Sequence, residues 1–163
     1  VVVRGDNPVT EDTKYGPVVV GVDGSGVSQK AIEYAFAEAS ARECELIAVH
    51  TWMDMQIQAS LAGLSAAQQQ WKIVEEEQNM LLGHRLAGYA ERYPDVQVTR
   101  VVTRDRPVRA LVDAAKGAQL LVVGSHGRGG FKGMLLGSTS RALLQSAPCP
   151  MMVVRPDSDA KAH

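Results

Sequence analysis

Val18-Val19-Val20-Gly21-Val22-Asp23-Gly24-Ser25 sets four valines around one glycine, then breaks off at an aspartate, a glycine and a serine. The run is too short for a helix and rich in β-branched residues, which reads as a strand buried on both faces. Such a strand belongs in a parallel sheet covered by helices, and the rest of the chain alternates accordingly. Ser25 to Arg42 places Ala31, Ile32, Ala35, Phe36 and Ala39 on one helical face, with Ser25 as the cap. Leu46 to His50 is a second apolar strand. Ala66 to Arg92 carries Trp71, Val74, Leu82, Leu86 and Tyr89 at helical spacing and stops at Tyr93-Pro94-Asp95. Val96 to Thr103 is a third strand, and Pro107 opens a helix that closes at Gly117. Leu120 to Val123, Ser138 to Ser146 and Met151 to Val154 complete the pattern as strand, helix and strand. Met53 to Gly63 shows no readable period. Ligands of such sheets bind beyond the carboxyl ends of the strands, where strand order reverses. Two strand ends stand out there, Asp23-Gly24-Ser25 and Gly124.

The 163 residues are 45% hydrophobic and 21% charged, the profile of one domain with a real core. The longest apolar runs, such as Leu120-Leu121-Val122-Val123, fall far short of the roughly 20 residues a membrane span needs. Seventeen basic and eighteen acidic residues leave a net charge of -1, which argues against a broad grip on nucleic acid. Cys44 and Cys149 form no CxxC pair and are expected as buried free thiols in a reducing, cytoplasmic setting.

The first residues, Val1-Val2-Val3-Arg4-Gly5, lack the charged-then-apolar layout of a secretory signal. Val2-Val3-Arg4 repeats Val153-Val154-Arg155, where a strand closes the domain before a polar tail. The expectation is a tandem protein. Residues 1–17 would be the last strand of a preceding repeat plus a linker, 18–156 the domain and 157–163 a tail.

Six of the fifteen glycines fall between Gly124 and Gly137, in a loop leaving a buried strand and entering a helix at Ser138-Thr139-Ser140. Glycine lets backbone N–H groups converge on an anion, and a helix N-terminus adds unpaired donors and a favourable dipole. Arg128, Lys132 and Arg141 are the cations placed to offset phosphate charge, although each also reads as a solvated surface residue. A mobile loop is the plain alternative, but both ends of this run sit on predicted elements at the binding edge. No GxxxxGK[ST] occurs, and Gly24-Ser25-Gly26 lacks the third glycine of a dinucleotide fingerprint.

The spacing Gly124-x2-Gly127-x9-Gly137-Ser138 resembles the nucleotide-binding signature of the ATP-binding branch of the universal stress protein family. The resemblance runs from Val18 to Arg155 and takes in Val19-Val20-Gly21-Val22-Asp23-Gly24-Ser25. It implies an α/β, Rossmann-like fold: a single open five-stranded parallel sheet of order 3-2-1-4-5, with helices on both faces. It implies ATP or ADP, with Mg²⁺, across the switch point between the first and fourth strands. Asp23 would then lie beside ribose and phosphate, and Thr51 at the adenine through its backbone. Gly124 and Gly127 would meet ribose or phosphates, and Gly137, Ser138 and Thr139 would hold the phosphates, with Arg128 counted among the nucleotide-binding residues for its charge. It also implies a homodimer through the last strand, Met151, Met152, Val153 and Val154. Asp105-Arg106-Pro107 departs from the family's Gly-x-Pro, and its acid would repel phosphate unless turned away or bound to metal.

Ser25 as the cap leaves Asp23 free for a ligand. His50 and His126 have no carboxylate at ligand spacing, so His50 is expected as a satisfied core residue and His126 as a loop residue. Glu75-Glu76-Glu77 reads as a solvated face, and Trp71, Leu82 and Tyr89 as core. No nucleophilic grouping and no His-x-Gly-His motif is present. The expected function is that of a nucleotide-binding stress-response regulator, at most a weak ATPase. The alternative is a nucleotide-free dimeric interaction module of the same fold.

Overall fold

The structure, a computed structural model, describes residues 16–52, 64–127 (side chains from 69 onward) and 135–156. The expected linker strand at Val1 to Val3, the Met53 to Gly63 stretch, Arg128, Lys132 and the tail from 157 lie outside the described residues. Five strands and four helices alternate: β1 (Val18–Gly21), α1 (Gly26–Ala41), β2 (Leu46–Thr51), α2 (Leu64–Arg92), β3 (Val98–Thr103), α3 (Pro107–Ala114), β4 (Leu120–Gly124), α4 (Ser138–Ser146) and β5 (Met151–Val154). All pairings are parallel, in the order β3-β2-β1-β4-β5, as expected.

Val18, Val19 and Val20 are fully buried, because β1 has a strand on each side and helices on each face. One face holds Val18, Val20, Ile32, Phe36, Leu82, Leu86 and Val122, closed by α1 and α2. The other holds Val19, Leu111, Leu121, Leu143 and Val153, closed by α3 and α4. Ala31, Ala35 and Ala39 let α1 lie close over β1 and β4, and Phe36 stacks between Tyr89 and Tyr93 at 5.8 and 6.0 Å. Trp71 belongs to neither core: it is half-buried, with the Arg104 guanidinium 3.5 Å from its ring centroid.

Both cysteines are free, and Cys149 is buried, its thiol pushed up to about 11 by desolvation. Cys44 is only half-buried, so the expectation of a buried thiol holds for Cys149 alone. His50 is the satisfied core histidine expected. Its Nδ1 lies 2.7 Å from Val22 O and its Nε2 2.9 Å from Gln78 Oε1. No helix among the described residues is long and apolar enough to cross a membrane.

β5 is an edge strand, with every side chain buried. Leu121 N–H donates to Pro150 O and Ser125 N–H to Val154 O. By the alternation of a parallel ladder, the backbone groups of Met151 and Val153 therefore face outward. Val153 packs its side chain inside its own domain, so a partner at this edge would meet backbone there.

Phe36→Ala should cost about 3–5 kcal/mol, the range for emptying an aromatic site in a tight core. Urea denaturation checks this, with Tyr34→Ala on the half-exposed side of the same helix expected to cost far less.

Candidate functional site

Sheet order reverses between β1 and β4. The β1–α1 turn leaves toward one face and the β4–α4 loop toward the other, and a crevice opens at their carboxyl ends. On the β1 side, Ser25 caps α1 as expected, its Oγ accepting from Ser28 N–H at 3.1 Å. Asp23 is not free as expected. Its Oδ1 accepts from Ser25 N–H at 2.9 Å, and its own N–H donates to the buried Ser28 Oγ at 3.2 Å. Gly24, at φ 82, makes the turn that permits this. One carboxylate oxygen is thereby held in place, and the other looks across the crevice. A Cβ on Gly127 would stand 2.8 Å from Asp23 Oδ2.

On the β4 side the loop is tied shut at its base. Gly137 N–H donates to Ser125 O at 2.7 Å, and Ser140 Oγ donates to Gly124 O at 2.7 Å. Ser125 is fully buried, and its N–H extends the ladder to Val154 O. Its Oγ lies 2.9 Å from His126 Nδ1. Gly137 occupies the N-cap of α4, with no side-chain hydrogen bond to the first turn. Gly137 therefore leaves the leading N–H groups of α4, from Ser138 and Thr139, without a cap from the N-cap side chain.

The glycines of the motif answer to different causes. None of Gly124, Gly127 and Gly137 has a positive φ, so close approach is the reason to examine. A Cβ on Gly124 would stand 3.0 Å from Val27 Cγ1 of α1, a packing demand of the fold itself. Gly127 is held to glycine by Asp23. At Gly137 a Cβ would meet only ordinary contacts among the described residues, with Ser125 O nearest at 3.4 Å.

The structure thus brings Asp23, Gly124, Gly127, Gly137, Ser138 and Thr139 to one crevice. Thr51 stands one strand away at the end of β2, paired with Thr103. Asp105 is turned away. Its Oδ1 accepts from Arg106 N–H at 2.7 Å and its Oδ2 lies 3.6 Å from Arg109 Nε, at the edge strand β3. Ser28, Ser125 and Ser140 were not singled out in the sequence. Ser-x-x-Ser at 25–28 was the one signal available for them. No group of three or more metal-ligating side chains occurs among the described residues.

Residues 14–155 match the family model described as the Universal stress protein family. Universal stress protein Rv2005c of Mycobacterium tuberculosis is 51% identical over 154 residues, 94% of this chain and 50% of that protein. The chain spans about half the length of the curated relatives it matches. Among solved structures, a universal stress protein in complex with cAMP covers 86% of this chain and 97% of its own, at TM-score 0.60 and 26% identity. The universal stress protein from Archaeoglobus fulgidus in complex with dAMP covers 86% and 98%, at TM-score 0.58 and 20% identity.

Ser140→Ala should cost about 1–3 kcal/mol by leaving the Gly124 carbonyl without its hydroxyl partner. Hydrogen exchange should then quicken at the Gly137 amide and stay slow in β1.

Proposed function

The chain belongs to the universal stress protein family, and from that premise and the crevice geometry we propose that it is an adenine-nucleotide-binding regulator. ATP or ADP lies across the ends of β1 and β4, as the family's ATP-binding branch would hold it. The observation that carries the reading is the first turn of α4, whose N-cap Gly137 offers its N–H groups no side chain and meets only ordinary contacts among the described residues. Backbone N–H groups there suit phosphate oxygens. Asp23, held by Ser25 N–H, keeps one oxygen for a ribose hydroxyl or for Mg²⁺ that arrives with the phosphates. Asp23 would bring one carboxylate, so the phosphates would supply most of the metal's ligands. Thr51 offers its backbone to the base, and Arg128 would add charge to the phosphate side. Beyond Asp23 no base or water-positioning group is evident among these residues, which fits a binder with slow hydrolysis or none. Two complexes of similar proteins hold cAMP and dAMP, which supports an adenine ligand here as well. Two free thiols fit a reducing, cytoplasmic location.

The assembly proposed is a homodimer through the outward backbone of β5. The relatives' double length and the Val2-Val3-Arg4 repeat of Val153-Val154-Arg155 support one half of a tandem architecture, the C-terminal one.

Mass spectrometry of the small molecule released on denaturation, followed by calorimetry with ATP and Mg²⁺, tests the binding reading. Asp23→Ala should weaken ATP by about 1–3 kcal/mol, the scale of a hydrogen bond to a charged group. Gly127→Val should abolish binding by displacing Asp23, with the circular dichroism spectrum unchanged. Unchanged affinity in both variants would remove the nucleotide from this crevice.

Light scattering at tens of micromolar should find a dimer, and a monomer there would refute the β5 assembly. Val153→Lys is expected to unfold the domain, because that side chain is core.

A further inference from the structure

We propose that the indole N–H of Trp52 is the donor that reads a ring nitrogen of the purine base. The inference rests on the adenine-nucleotide reading above and assigns that site a specificity residue.

Trp52 directly follows β2, and its backbone is fixed there, N–H donating to Thr103 O at 3.3 Å. The β1–β2 register runs Val18↔Leu46 to Gly21↔Val49, and Val22 N–H continues it by donating to Val49 O. The paired register ends at Gly21↔Val49, and Trp52 stands three residues beyond it, at the same end of the sheet as the turn that holds Asp23. Alternation along the strand puts Trp52 on the same face as His50, whose ring meets Gln78 of α2. That is the face toward which the β1–α1 turn leads, since α1 and α2 close the same core.

The Trp52 Nε1 atom is buried and has no hydrogen-bond partner, the one such side-chain atom among the described residues. Buried donors are nearly always paired, so an orphan calls for an explanation. Three acceptors near the end of β2 already have partners among the described residues. Val22 O and Gln78 Oε1 face the two ring nitrogens of His50, and Thr103 O takes the Trp52 backbone N–H. An indole nitrogen can only donate, so its partner must be an acceptor. The purine ring offers three, N1, N3 and N7, and a base lying over the ends of β1 and β2 brings them to this level. Trp71 is differently placed, its ring face covered by Arg104 at 3.5 Å.

The test uses the full 163-residue chain with ATP and its 1-deaza, 3-deaza and 7-deaza analogues. Trp52→Phe keeps the aromatic bulk and removes only the donor. It should bind ATP about tenfold more weakly, the scale of one hydrogen bond to a buried group. The nucleotide-free variant should melt no lower than wild type, because an unpaired donor has been removed. One deaza analogue should bind wild type about tenfold more weakly than ATP and show no further loss in Trp52→Phe. Should Trp52→Phe fail to fold, Trp71→Phe leaves Trp52 as the single indole. Its emission should then shift with ATP and not with that analogue. Equal ATP affinity in wild type and Trp52→Phe, or equal binding of all four nucleotides by wild type, would overturn the proposal and leave the nucleotide site standing. Wild type that binds no adenine nucleotide would remove both.

Discussion

β1 has a hydrogen-bonded strand on each side and a helix layer on each face, so its backbone and side chains are satisfied entirely within the sheet. Only its carboxyl end opens outward. The connections through α1 and α2 step away from β1 in one direction, and the return through α3 starts a second run in the other. Right-handed crossovers then force the two pairs of helices onto opposite faces. The loops after β1 and β4 must part, and the gap between them is a consequence of topology before any side chain is chosen. Asp23, Gly127 and Gly137 stand around that gap, and Thr51 one strand from it.

Short hydrogen bonds give the gap a fixed shape. Asp23 is tied to Ser25 and Ser28 on one wall, while Ser125, Gly137 and Ser140 close the base of the loop on the other. Each tie satisfies a backbone group that the turn would otherwise leave bare. The same ties select which groups remain available. Gly124 has lent its carbonyl to Ser140, and Gly137 has lent its N–H to Ser125, so both are now parts of the frame. Among the groups of these two walls, the second oxygen of Asp23 is left outside the frame.

The strands and helices were legible because burial on two faces leaves a strong mark. Val18-Val19-Val20 and Leu120-Leu121-Val122-Val123 could hardly be anything but central strands, and strand order followed once the family resemblance was seen. Helix ends were legible where chemistry marks them, at Ser25 and Pro107. The edge strand was read less well. β3 begins at Val98, two residues later than the pattern suggested, because Val96 is buried without joining the ladder and its N–H bonds to Tyr93 O. Trp71 fell outside the core for a related reason: helical spacing says which residues share a face, and not how far along that face the core extends.

The site was legible in composition and opaque in cause. Gly124, Gly127 and Gly137 look alike in a motif, yet one makes room for Val27, one for the Asp23 carboxylate, and one meets only ordinary contacts among the described residues. Spacing cannot separate these cases, because each depends on what the fold brings opposite the glycine. Asp23 shows the same limit. Naming Ser25 as the cap was right, but that assignment concerned a side-chain oxygen, while the Ser25 N–H went to Asp23. Serine offers a donor and an acceptor to the same turn, and only geometry shows that both are taken. The distinction matters for function, since a carboxylate held at one oxygen presents the other in a single direction. A ligand then meets a charge already oriented by the backbone, and less conformational freedom remains to be lost on binding.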